Sequence, residues 1–168
     1  IGSRNKVRTG IPADPKTGEW VINEILFNPL SNGYDYVEFL NHGRRIIDVS
    51  KIFIANRNSS GAISSIKPLS NSPFYVFPGE HLVETSDPLR LQLFYLVKNP
   101  DLVLAVDVPP AFPDDEGDVI CLDAQGNILD EVNYKDDWHF KLIDNPEGIS
   151  LERIDPAGPS NDPRNWHS

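Results

Sequence analysis

The stretch DVICLDAQGNILDEVNY, residues 118–134, decides the fold class. Apolar residues dominate both halves, and the central DAQGN carries the glycine and polar residues typical of a turn between strands. The two halves therefore predict an antiparallel hairpin. In the second half, alternation places Asp130 on the same face as Ile128, Val132 and Tyr134, so its carboxylate is predicted to point toward the core.

The same pattern of short apolar bursts and turns extends in both directions from this hairpin. Turn signals rich in Gly, Pro, Asn and Ser separate the bursts, as in all-β domains. The sequence thus predicts two packed antiparallel sheets, with at most one short helix. The remaining bursts are WVINEILF (20–27), YVEFL (36–40), KIFIAN (51–56), AISSIKPL (62–69), FYVF (74–77), HLVET (81–85), LVLAV (102–106) and GISLERI (148–154).

The helix is predicted over residues 87–97, which begin with Asp-Pro, an N-cap followed by proline at the first helical position. Leu89, Leu93 and Leu96 are predicted to share one face of this helix. Residues 1–18 have no apolar period and are predicted to be a linker or the remnant of a preceding domain. Residues 19–168 are then the β domain.

Composition excludes several functions. The net charge of −10 argues against binding to nucleic acid, which needs Lys and Arg to displace counterions, and against an anionic membrane surface. No apolar run reaches the roughly 20 residues of a membrane span. The single cysteine, Cys121, has no partner for an internal disulfide and is predicted to be a buried thiol.

Several segments, in order, resemble the bacterial branch of the lamin tail domain family. They are VINEILFNP (21–29) with DYVEFLN (35–41), FPGEHLV (77–83), EGDVICLDAQGNILDEVNY (116–134), and GISLERI (148–154) with NDPRNWHS (161–168). The resemblance implies an immunoglobulin-like β-sandwich without catalytic residues, of a type that occurs in exported, multi-domain bacterial proteins. The leading hypothesis is therefore a non-catalytic interaction or scaffolding module of a secreted or cell-surface protein. It needs no cofactor, and its partners are a protein or glycan and neighbouring domains of its own chain.

A first alternative is a calcium-assisted carbohydrate-binding module. Trp138, in the polar segment KDDWHF, is a candidate for stacking on a sugar, with Tyr36 in support. Clustered carboxylates on a loop are candidate ligands for calcium, which prefers six to eight oxygen atoms. Four acidic residues crowd one turn: Asp114, Asp115, Glu116 and Asp118.

A second alternative is a hydrolase that uses Glu24 and Glu38. Alternation in YVEFL puts Val37 and Phe39 on the apolar face, which leaves Tyr36 and Glu38 outside. If the first two strands pair, Glu24 lies near Glu38, and paired carboxylates in a cleft can act on sugars. Neutralisation of the two glutamates by Arg44 or Arg45 is the structural alternative.

Asp130 and Arg153 are predicted to form a structural pair. In GISLERI, Arg153 lies on the same face as Leu151, so it too points inward. A buried charge needs an opposite charge or several hydrogen bonds. Mutual pairing satisfies both residues, and backbone N–H groups are the alternative partner for Asp130.

Overall fold

The computed structural model describes residues 9–168, so the first eight residues of the predicted linker lie outside it. Within this range the chain is mostly β, with one α-helix, α1, at Pro88–Phe94. Single 3-10 turns occur at Val49–Lys51, Pro100–Leu102, Asp136–Trp138 and Pro163–Asn165. The strands are β1 Trp20–Leu26, β2 Tyr36–Asn41, β3 Ile47–Asp48, β4 Ile52–Arg57, β5 Ile63–Pro68, β6 Tyr75–Val76, β7 His81–Thr85, β8 Val103–Ala105, β9 Glu116–Asp123, β10 Ile128–Lys135, β11 Leu151–Arg153 and β12 Trp166–His167.

The all-β prediction is confirmed, and each of the ten apolar bursts contains a strand. A six-stranded sheet has the order β12-β11-β1-β2-β7-β8, and a four-stranded sheet has the order β10-β9-β4-β5. Strands β3 and β6 form a third, two-stranded sheet that the sequence did not predict.

The expectation of purely antiparallel sheets is wrong at one edge, where β7 and β8 run parallel. Parallel neighbours need a long crossover connection. Here the crossover is residues 86–102, which contain α1 and a 3-10 turn. The crossover passes over the outer face of the six-stranded sheet, where Leu91 of α1 packs with Leu26 and Tyr36.

The main hydrophobic cluster takes side chains from both large sheets. Trp20, Ile25 and Phe39 from the six-stranded sheet lie in it with Ile54 and Cys121 from the four-stranded sheet, and all five are fully buried. Burial of Cys121 agrees with the prediction of a structural thiol. In the described part of the chain, no helix is long and apolar enough to cross a membrane.

Residues 9–18, the described part of the predicted linker, run along the surface of the domain. Ile11 is 91% exposed. The Ala13 N–H donates to the Ile46 carbonyl at 3.0 Å, and the Gly18 N–H donates to the Leu129 carbonyl at 3.4 Å. These backbone contacts hold the segment against the β domain without adding a side chain to the main cluster.

The helix begins as predicted, with the Asp87 carboxylate accepting from the Arg90 N–H, but it ends at Phe94, before Leu96, and the shared leucine face points away from the sheet. Leu89, Leu93 and Leu96 are 77%, 75% and 90% exposed, whereas Leu91 is 5% exposed. The seven-residue helix therefore packs on the sheet through Leu91, which contacts Leu26 and Tyr36.

Leu91 is therefore expected to fix the crossover on the sheet. Leu91→Ala should lower the free energy of unfolding by about 2 kcal/mol, because it opens a cavity beneath α1. Leu89→Ala, on the exposed side of the same helix, should change it by less than about 0.5 kcal/mol. Urea denaturation of both variants measures the difference, and equal effects would show that α1 is not anchored through Leu91.

Candidate functional site

A groove of about 470 Å³ lies between the outer face of the six-stranded sheet and the crossover. Its volume is within the range of small-ligand sites in proteins. The sheet provides Glu24, Tyr36, Glu38 and His81, and α1 with the segment after it provides most of the apolar wall together with Lys98 and Asn99. The lining residues used below are Glu24, Tyr36, Glu38, His81, Val83, Leu91, Tyr95, Leu96, Lys98 and Val103.

An irregularity in β1 brings Glu24 into the groove. Ile22 and Ile25 both face the main cluster although they are three residues apart, because the pairing with β2 shifts between Ile22 and Glu24. The shift puts Glu24 directly opposite Glu38 on the outer face. The structure therefore brings together the two glutamates of the hydrolase hypothesis.

Glu24 is held by two hydroxyl groups. Its Oε1 accepts a short hydrogen bond from the Tyr36 hydroxyl and another, at 2.6 Å, from Ser150 Oγ. Tyr36 points away from the main cluster, as predicted, but it is only 8% exposed because Leu91 and the edge of the Tyr95 ring cover it. Tyr36 is thus a buried support for Glu24 and has little surface on which a sugar could stack.

Glu38 has weaker compensation for its burial. Its Oε1 accepts from Asn23 Nδ2 at 2.9 Å and lies 3.2 Å from His81 Nδ1, while its side chain is 17% exposed. Removal from water raises the pKa of Glu38 above its ordinary value, against the lowering effects of His81 and Asn23. Within the described residues, neither Arg44 nor Arg45 neutralises these glutamates: Arg45 pairs with Glu19 at 2.8 Å, and Arg44 forms no ion pair with either of them.

A second, shallower cleft of about 280 Å³ surrounds Trp138. The Trp138 ring packs 6.3 Å from the ring of Trp166, which is buried and donates from Nε1 to the Ser160 carbonyl. Phe140, 60% exposed, lines the same cleft. Trp138 packs against the main cluster and also lines this cleft, so its ring serves the core as well as the surface.

In the acidic turn, three of the four carboxylates have partners within the chain. Asp115 accepts from the Glu116 N–H, Glu116 pairs with Lys135 at 2.7 Å, and Asp118 accepts a hydrogen bond from Asn133. Within residues 9–168, no group of three or more His, Cys, Asp or Glu side chains, Asp114 included, is arranged to hold a metal ion.

The structure brings Asp130 and Arg153 together between the two large sheets. Arg153 Nη1 donates to Asp130 Oδ2 at 2.8 Å, and the two side chains are 2% and 8% exposed. Asp130 also accepts from the Ile22 N–H at 2.9 Å and from the Ser160 hydroxyl. Arg153 also donates to the Gly158 carbonyl at 2.7 Å. Both mutual pairing and backbone bonding therefore occur.

Sequence reasoning missed a buried carboxyl group, Glu84 of β7. It is 1% exposed, faces the main cluster beside Val37, and neither carboxyl oxygen has a hydrogen-bond partner within the described residues. Burial raises the pKa of Glu84 to about 8, with a further contribution from nearby Asp35, and burial likewise raises the pKa of Asp35 to about 7. Alternation in HLVET could have predicted this burial, because Glu84 lies two residues after Leu82 and so shares its face. Val83, also apolar, made it unclear which face of the strand is the core face.

A comparison of the chain with protein-family models finds no matching family, and a comparison with curated proteins finds no matching relative. The resemblance to lamin tail domains therefore stays a prediction from the sequence.

Proposed function

We propose that the chain is a non-catalytic interaction module that binds a partner protein in the groove between the six-stranded sheet and the crossover. The observation that carries this proposal is the groove itself, which combines the carboxylates of Glu24 and Glu38 with an apolar wall away from the main core. Exposed Leu96 lines the groove together with the carboxylates, and this gives the mixed surface typical of protein interfaces.

We also propose that the two large sheets form an immunoglobulin-like β-sandwich. It is supported by the two large sheets sharing one buried cluster and by the Asp130–Arg153 pair, which links β10 of one sheet to β11 of the other. The setting, a secreted or cell-surface protein of a bacterium, rests on the resemblance to lamin tail domains.

Selection from a displayed peptide library tests the proposal. Val83 lies opposite Glu38 on the groove floor, so Val83→Phe should fill the groove without adding charge. Peptides selected on the native protein should bind Val83→Phe at least about tenfold more weakly. Circular dichroism and thermal melting confirm that the variant is folded. Equal binding to both proteins would place the binding surface elsewhere.

The second candidate function is hydrolysis, favoured by the presence of Glu24 and Glu38 in one groove. In glycoside hydrolases the two carboxyl groups flank the scissile bond. Here Glu24 and Glu38 are cross-strand neighbours on one sheet face, and both already accept hydrogen bonds from neighbouring side chains, which suits fixed acceptors for a ligand better than an acid and a nucleophile.

We therefore expect no turnover of glycoside, ester or phosphoester substrates by the purified protein. A chromogenic substrate panel measures this, with Glu24→Gln and Glu38→Gln as controls for contaminating enzymes. Turnover that persists through purification and disappears in either variant would replace the binding proposal with the hydrolase.

A further inference from the structure

We propose that the groove receives a lysine or arginine side chain of the partner protein, with its cationic head between Glu24 and Glu38. This inference rests on the proposed function and specifies its ligand. Three features of the groove support it: the charge that the fold leaves unbalanced, the oxygen atoms that remain available, and the apolar wall around them.

Charge is unbalanced along the outer face of the sheet. Glu152, Glu24 and Glu38 lie in register across three adjacent strands, so three carboxylates repel one another. In the part of the chain that the structure describes, no lysine or arginine forms an ion pair with any of them, and Lys98 of the groove wall is no exception. Among the described residues, the ion-pair partner of Glu38 is His81. An incoming cation would relieve this repulsion.

The hydrogen bonds of both glutamates leave acceptors available. Tyr36 and Ser150 both donate to the Oε1 atom of Glu24. The donor to Glu38, Asn23, also reaches Oε1, and His81 approaches the same atom. None of these hydrogen bonds reaches the Oε2 atom of either glutamate, and neither Oε2 is fully buried. The second oxygens therefore remain open to a ligand. A guanidinium or ammonium group has the several donors that two such oxygens can accept.

The apolar wall suits the aliphatic stem of a long cationic side chain. Val83, Val103 and Leu91 line the groove beside the glutamates, and Leu96 stands 90% exposed at its edge. Lysine and arginine commonly lay their methylene groups on apolar surface while the charged head meets a polar group. A neutral sugar would leave the carboxylate charge uncompensated, and an acidic ligand would be repelled.

A pair of matched peptides tests the inference. Both are short and capped, with polar ends and leucines around one central residue, which is lysine in one and norleucine in the other. Norleucine keeps the apolar stem and removes the ammonium group. We expect the lysine peptide to bind the native protein at least about tenfold more tightly in calorimetric or fluorescence titrations, with the preference weakening as salt is added.

The double variant Glu24→Gln/Glu38→Gln should bind the two peptides about equally. Glu152→Gln, which removes a charge from the same sheet face outside the groove lining, should keep most of the preference. Equal binding of both peptides to the native protein, blocked by Val83→Phe, would overturn the cationic subsite and leave the proposed function standing. Lysine-selective binding that Val83→Phe and the double glutamine variant both leave unchanged would overturn both.

Discussion

Stability should fall as pH rises from about 4 to about 8, and Glu84→Gln should remove much of that dependence. Glu84 is fully buried and its pKa is raised to about 8, so the folded protein keeps a proton that the unfolded chain releases near pH 4. Below the unfolded pKa this contribution is fully present, and it is lost as pH rises through the folded pKa. Losing this contribution lowers the free energy of unfolding by on the order of 3 to 5 kcal/mol.

Urea denaturation of the native protein and Glu84→Gln at pH 5 and pH 9 measures this effect. At pH 5 the variant should be equal or slightly less stable, because the amide brings an extra buried donor. At pH 9 it should be clearly more stable than the native protein. The exposed Glu152→Gln is the control and should follow the native pH profile. Parallel profiles for Glu84→Gln and the native protein would show that the Glu84 carboxyl group ionises without cost.

The Asp130→Ala variant should be destabilised by roughly 3 to 5 kcal/mol. The change leaves the Arg153 guanidinium, 2% exposed, without its opposite charge, and it removes the acceptor of the Ile22 N–H. The neighbouring pair between Arg57 and Glu131 gives a matched control. Its side chains are 28% and 19% exposed, so Glu131→Ala should cost about 1 kcal/mol at most.

A double-mutant cycle separates the pair from its surroundings. Asp130→Leu combined with Arg153→Met should cost clearly less than the sum of the two single changes, because the double variant buries no unpaired charge. Free energies from chemical denaturation provide the cycle. Additivity within about 0.5 kcal/mol would mean that each residue is stabilised by its backbone partners and not by the other.

Local pattern was enough to locate the strands. Turn chemistry and apolar bursts identified ten of them, and alternation correctly turned Val37, Phe39 and Val132 toward the core. Ile128, placed on the same face as Asp130, is instead 36% exposed, because the register of β10 shifts between these two residues. Strands β3 and β12 have two residues each, too few to show any period.

The groove depends on features that local pattern does not contain. Glu24 enters it through a register shift in β1, and its upper wall exists because residues 86–102 cross over the sheet to make β8 parallel to β7. The same crossover places Leu91 and Tyr95 over Tyr36. Each is a long-range packing outcome, so the sequence could pair Glu24 with Glu38 but could not show that a cavity stands above them.

Backbone amide chemical-shift mapping of the native protein with a library-selected peptide tests the central claim most directly. If the groove is the binding surface, the largest shifts will fall on its floor and wall, at His81, Val83, Val97 and Lys98, and will be absent in Val83→Phe. The largest shifts at Trp138, Phe140 and His167 would instead identify the aromatic cleft as the functional surface and contradict the account.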